Sequence, residues 1–422
     1  MALSHPIRSR ILVGVGVLIL ALSSVAFISA PVQNHLRAAA LLVRVSTPEQ
    51  KNSFTNYATH SVTESDVTVG MSSNPIRARL YTPQGVNNPP GMVMVVGVHH
   101  LGINEPRLVN FARAFAGGGV AVLTPEPPDI ADYRITPQTI EVIGRSAQEL
   151  SRRLGKAHVG VLGFSFSGGL ALLAAADPKF APAISFVVAV GAHDDLSRVS
   201  RFFVNNQILR PDGSLEKLRA HNYGALVLAY SHLEDFFGPA DVPDARRALR
   251  ALLYEDGTAA NAALQQLHPA ARAKMQLLFD DKIAALSGEL LRNIDKHHAE
   301  MEAVSPAGKL SHLRADVLLL HGSGDNIIPA SETLWLANEV PKAQLKDSLI
   351  TPVLSHVDMK NGPSLGDRAR VVHFVAEMLE EARESNRNVN VDTSGGGISG
   401  DSYFLFKKEL VLPAWSSDTW SH

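Results

Sequence analysis

The chain is 422 residues long, 45% hydrophobic and 19% charged, with a formal net charge of −2. That length and apolar share suit one large α/β domain carrying an insertion, and the near-neutral balance excludes the basic face that electrostatic nucleic-acid binding needs. The absence of cysteine excludes disulfides, thiolate metal sites and a cysteine nucleophile.

At the N-terminus, Ile11 to Ile28 is an uncharged apolar run preceded by Arg8 and Arg10. It reads as an uncleaved membrane anchor, with a cleaved signal as the alternative, and either way the rest of the chain is exported. Residues 31–62 form a connector whose stretch Leu36–Val45 either lies along the membrane surface or starts the domain as a helix. From Asp66 the pattern becomes strand-like. Val67–Val69 and Ile76–Tyr81 pair as a hairpin, and Met92–Val98 is the continuous apolar run of a strand buried on both faces. Leu108–Ala116 is a helix, Val120–Leu123 a strand and Pro125–Pro128 a loop. Thr139–Leu154 is a helix, and Val159–Leu162 the next strand. Ile184–Val190 is another buried strand.

Residues 194–305 contain almost no strand-like run and have helical spacing, as in Ala245–Leu253 and Ala271–Ile294; an insertion here covers the carboxyl edge of the sheet. Strands resume at Ala315–His321 and Leu349–Leu354, and an amphipathic helix spans Asp367–Glu384. The expected organisation is 1–30 anchor, 31–62 connector, 63–193 first part of the core, 194–305 helical insertion, 306–385 second part, and 386–422 a flexible tail. The alternation of strands and helices implies a mostly parallel sheet.

Residues 163–169 read Gly163-Phe164-Ser165-Phe166-Ser167-Gly168-Gly169, between a β-branched strand and an apolar helix. A serine on so sharp a turn is pushed out of the sheet, and the helix N-terminus beneath it offers N–H groups to a developing negative charge. The segment resembles the nucleophile turn of the α/β-hydrolase family, with Ser167 where a glycine is usual. A serine hydroxyl needs a base, and the base an orienting carboxylate. In this family the order along the chain is serine, acid, histidine. His321-Gly322-Ser323-Gly324-Asp325 resembles the family's acid loop, and Ser355-His356 its base loop, so the resemblance makes Ser165 the nucleophile, Asp325 the acid and His356 the base. Asp194-Asp195 are a reserve acid whose main expected role is capping the first insertion helix. The family's oxyanion hole implies Phe166 N–H as one donor. The loop Val98-His99-His100-Leu101-Gly102 supplies the other, at Leu101 on the family alignment, with His100 as the alternative.

The resemblance implies an eight-stranded, mostly parallel α/β-hydrolase sheet with a helical cap after strand 6. It also implies hydrolysis of an ester or thioester of a small acyl substrate through an acyl-enzyme. A membrane-tethered acyltransferase and a non-catalytic binding protein are the alternatives. No cofactor or metal is expected. His99 and His100 point opposite ways from a strand end, and His297-His298 reads as a solvated helix face.

Overall fold

The computed structural model describes residues 29–49, 52–71, 74–354 and 362–387. The apolar runs form one sheet: β1 (Val62–Val69), β2 (Ile76–Pro83), β3 (Gly91–Val95), β4 (Ala121–Pro125), β5 (Val159–Phe164), β6 (Ile184–Val190), β7 (Asp316–Gly322) and β8 (Leu345–Thr351). Their order is β1-β2-β4-β3-β5-β6-β7-β8. Only β2 runs against its neighbours, pairing antiparallel with β1 and β4 while the other pairs are parallel. Every residue of β3, β4 and β5 is buried, as the unbroken apolar runs require of strands covered on both faces. The edge strands β1 and β8 carry Glu64, Asp66 and Lys346 and are mostly exposed or half-buried.

Among the described residues, six helices longer than one turn flank the sheet: α1 (Ala30–Ser46), α2 (Pro106–Gly117), α3 (Pro137–Leu154), α4 (Phe166–Ala176), α5 (Ser331–Glu339) and α6 (Leu365–Arg387). Pro106 and Pro137 fix their starts, and the Glu105 carboxylate accepts the Leu108 N–H at 2.8 Å. Helix α4 is apolar all round and buried from Phe166 to Ala175. The connector resolves as a domain helix. Ala38 and Leu41 of α1 join the core, and Asn34 is hydrogen-bonded to Glu380 and Arg383 of α6.

Between β6 and β7 lie seven helices, at Leu196–Asn205, Asn222–Ser231, Val242–Leu253, Gly257–Leu264, Pro269–Phe279, Ser287–Lys296 and His298–Ala303. A small hairpin, Gln207–Leu209 with Leu215–Lys217, interrupts the helices, its turn held by Ser214 N–H on Asp212 Oδ1. One expectation, a continuous helical run over Ala271–Ile294, is corrected here. The run is broken at Asp281, whose φ is +55° and where Lys282 N–H closes the preceding helix on Leu277 O. No described helix is long and apolar enough to cross a membrane. The expected anchor, Ile11–Ile28, and nearly all of the expected tail, from residue 388 on, lie outside the described residues.

Parallel register brings the strand ends together: Val95 sits beside Gly163, Phe164 beside Val190, Val190 beside Leu320, and Thr351 beside Gly322. The loops that leave these ends share one rim, where ligands bind in open parallel sheets.

Candidate active site

The turn from β5 into α4 places Ser165 at φ +55° and ψ −133°, a conformation costly for any residue with a Cβ. Close packing enforces it. A Cβ on Gly163 would stand 2.4 Å from Ser167 O, and one on Gly168 2.7 Å from Ala192 Cβ. Ser165 N–H donates to Val190 O (2.7 Å), pinning the turn to β6. Ser167, which replaces the usual glycine, is fully buried, and its hydroxyl donates to Val96 O at 2.6 Å. The departure from the family pattern therefore adds a bond between the turn and the loop after β3.

That loop passes directly over the serine: a Cβ on Gly97 would lie 2.9 Å from Ser165 Cβ and 3.6 Å from its Oγ. The expected donor at Leu101 is corrected. Leu101 N–H is spent on His99 Nδ1 (3.2 Å), and the side chain is 40% exposed where the chain turns over into Gly102–Asn104. Burial lowers the His99 imidazole pKa, which favours the neutral ring, the form in which Nδ1 can accept. The alternative, His100, faces the insertion. Its ring stacks on Tyr254 at 4.7 Å, and its Nδ1–H donates to Tyr133 Oη (3.2 Å), which in turn donates to Leu253 O (2.7 Å). Val98 N–H, next to Gly97, and Phe166 N–H, at the first position of α4, have no hydrogen bond among the described residues. Tyr223 of the insertion anchors the loop by donating its hydroxyl to Val98 O (2.9 Å).

Asp325 follows β7 and is buried, 1% exposed. Its Oδ1 accepts Ile327 N–H (2.9 Å) and Ile328 N–H (3.0 Å). Buried His321 braces the loop, with Nε2 donating to Ile328 O (2.9 Å) and Nδ1 accepting from Thr333 Oγ1 (2.7 Å). His356 lies outside the described residues. The strand that leads to it ends beside the acid loop, for Ser323 N–H donates to Thr351 O (2.9 Å). The reserve acids are committed elsewhere. Asp195 Oδ1 caps the first insertion helix by accepting Arg198 N–H (3.0 Å), as expected, and Asp194 pairs with Arg198 at 2.9 Å. Arg198 also holds Glu332 of α5 at 2.7 Å. Burial first, then the Glu332 charge, pushes Asp194 up to about 7 against the pull of Arg198.

Strand order β1-β2-β4-β3-β5-β6-β7-β8, with a serine held at positive φ on the turn after β5, decides the architecture. The fold is that of the α/β-hydrolases. No family model and no curated protein matches the sequence. Similar solved structures include an esterase from Pyrobaculum calidifontis, at 15% identity and TM-score 0.42, covering 85% of this chain and 89% of that one. An acylaminoacyl peptidase from Pyrococcus horikoshii matches at 12% identity and TM-score 0.44, covering 81% of this chain and 44% of that one. A dienelactone hydrolase from Anabaena variabilis matches at 15% identity and TM-score 0.39, covering 76% of this chain and 98% of that one. The chain spans 36% to 44% of the length of the dipeptidyl and acylaminoacyl peptidase chains it matches.

In this α/β-hydrolase fold Ser165 opens on a cavity of about 450 Å³. Val96, Gly97, Val98, Leu108, Phe111 and Phe164 line it from the sheet side, and Ile327 from the acid loop. The insertion contributes Tyr223, Leu226, Leu252, Leu253, Leu278, Phe279 and the charged Glu255, and the segment after β3 adds the charged Glu105 and Arg107. Tyr223 and the role of Ser167 escape a reading by motif. Gly97 carries a usable signal, since a glycine just past a buried strand marks a close backbone approach.

Proposed function

We propose that the chain is a serine hydrolase that cleaves an ester or thioester of an apolar acyl group. His356 takes the proton from Ser165 Oγ, which attacks the acyl carbonyl, and Asp325 orients the imidazole. Phe166 N–H and Val98 N–H bind the oxyanion, a pair of donors worth about 10²–10³ in rate each. The protonated His356 then gives its proton to the leaving group, and water releases the acyl group by the reverse sequence. Ser165, held at φ +55° under Gly97 and facing a largely apolar cavity, is the observation that carries this reading. Two backbone N–H groups on one Asp325 oxygen support its role, since they fix the carboxylate in one orientation. Residues 194–305 act as a cap over the acyl pocket, which the six apolar and aromatic side chains they contribute support. The run Ile11–Ile28 behind Arg8 and Arg10 supports an N-terminal membrane anchor with the hydrolase exported.

Hydrolysis of a p-nitrophenyl ester series of increasing acyl length tests the reading. Ser165→Ala and His356→Ala each lower kcat by about 10⁴-fold or more, and Asp325→Ala by nearly as much. Turnover undiminished in Ser165→Ala overturns it. Product trapped as a new ester when alcohols compete with water identifies an acyltransferase on the same residues.

A further inference from the structure

Within the insertion, the segment expected as a solvated helix face does something else. His297 is only 12% exposed, and its ring stacks on His232 with centroids 3.4 Å apart and planes 18° off parallel. His232 ends the helix Asn222–Ser231, while His297 and Glu300 lie where Ser287–Lys296 gives way to His298–Ala303. Glu300 reaches both rings: Oε2 is 3.1 Å from His232 Nε2, and Oε1 is 2.9 Å from His297 Nδ1. Donor atoms of the three residues lie within 4.8 Å of one another. The far side of His297 is built as well. Nε2 sits 2.8 Å from Asp235 Oδ2, and Asp235 is held by Asn293 Nδ2 (2.8 Å) and Lys296 Nζ.

A neutral imidazole has one N–H. Asp235 accepts a hydrogen bond from His297 Nε2–H, which leaves the Nδ1 lone pair aimed at a carboxylate oxygen. Something positive has to stand between them. A proton does so for His297. His232 needs no second proton, since its Nδ1 has no partner among the described residues and the neutral ring can donate Nε2–H to Glu300; the proton alternative therefore buries one imidazolium, at His297, against the stacked His232 ring. A divalent cation satisfies His232 Nε2, His297 Nδ1 and Glu300 at once. A carboxylate on the outer nitrogen of a histidine is the usual way such a ligand is oriented and its tautomer fixed.

We propose that His232, His297 and Glu300 form a zinc site that ties the helix Asn222–Ser231 to the segment Ser287–Ala303, with Asp235 as the positioning residue for His297. Two imidazoles and one carboxylate are a zinc ligand set with an open fourth position, whereas magnesium and calcium favour all-oxygen sets. That open side faces solvent through Glu300, whose side chain is 67% exposed. The site serves the fold of the insertion and does not depend on the reaction at Ser165.

The test uses the full chain stripped with a chelator and titrated calorimetrically with Zn²⁺ alone. One ion binds per chain, and saturating Zn²⁺ raises the Tm, while equal Mg²⁺ or Ca²⁺ does not. His232→Ala and His297→Ala each weaken binding by at least about 100-fold, and Asp235→Asn by about 10–100-fold. Co²⁺ in place of Zn²⁺ gives the visible absorption of a four-coordinate ion, which Glu300→Gln diminishes. Glu300 is exposed, so that variant reads the site even where a histidine variant fails to fold. Absence of saturable binding by the wild type overturns the proposal. So does one-to-one binding that both histidine variants and Glu300→Gln leave unchanged, for the ion then sits on others of the 17 histidines.

Discussion

Replacing Ser165 by glycine removes the nucleophile and strengthens the fold. Ser165 sits at φ +55° and ψ −133°, where any Cβ crowds the backbone. Such a residue stores about 1–3 kcal/mol of strain. Glycine releases it and gives back about 0.5–1 kcal/mol through the greater freedom of its unfolded chain. The net expectation is a gain of about 1 kcal/mol, seen as a rise of about 1–2 °C in Tm for a domain of this size. Ser165→Ala is the control, because it loses the same hydroxyl and keeps the Cβ and the strain. Thermal and urea unfolding of the full chain, followed by circular dichroism, compare wild type, Ala and Gly side by side. Both variants are inactive, and Gly is the more stable of the two, the reverse of their ordinary order. A glycine variant no more stable than the alanine variant refutes the reasoning, for the turn would then store nothing and the positive φ of Ser165 would need another cause.

Ser167→Ala removes the donor to Val96 O in a fully buried position, costs about 1–3 kcal/mol and lowers kcat by loosening the loop over Ser165; ester turnover and urea midpoints measure both. Arg198→Met leaves Asp194 and Glu332, each 1% exposed, facing one another without their cation, and costs about 3–5 kcal/mol. A loss below about 1 kcal/mol by urea unfolding contradicts that network. His193 is fully buried, and burial lowers its pKa from the ordinary 6.5. The unfolded chain therefore binds the extra proton, so the contribution of His193 is full above pH 6.5 and is lost as pH falls, by up to about 1.4 kcal/mol per unit. His193→Gln keeps a donor for Val304 O and flattens this dependence; parallel wild-type and variant stability curves between about pH 5 and 8 contradict it.

The sheet was legible because its inner strands are buried on both faces. A run such as Met92-Val93-Met94-Val95 has no other stable place, and Ile184–Val190 is the strand the reading expects, residue for residue. The nucleophile turn was legible for the same kind of reason, since Gly163, Gly168 and Ser167 are the sizes that backbone contact allows. The donor loop was not. Leu101 was placed by matching His99-His100 to a motif, while the chain spends Leu101 N–H on His99 and lets Gly97 make the close approach. His297 was misread because its surroundings come from Asp235 and His232, more than 60 residues away along the chain, and periodicity carries no record of such partners. The two breaks in the helical insertion turn on single residues, Asp212 and Asp281, whose conformations a hydrophobic pattern does not register.

The most direct test of the central claim is covalent labelling by a fluorophosphonate, with the modified peptide identified by mass spectrometry. The folded wild type takes up one equivalent on Ser165, and His356→Ala labels far more slowly. Labelling on another serine, or none on folded wild-type protein, contradicts Ser165 as an activated nucleophile.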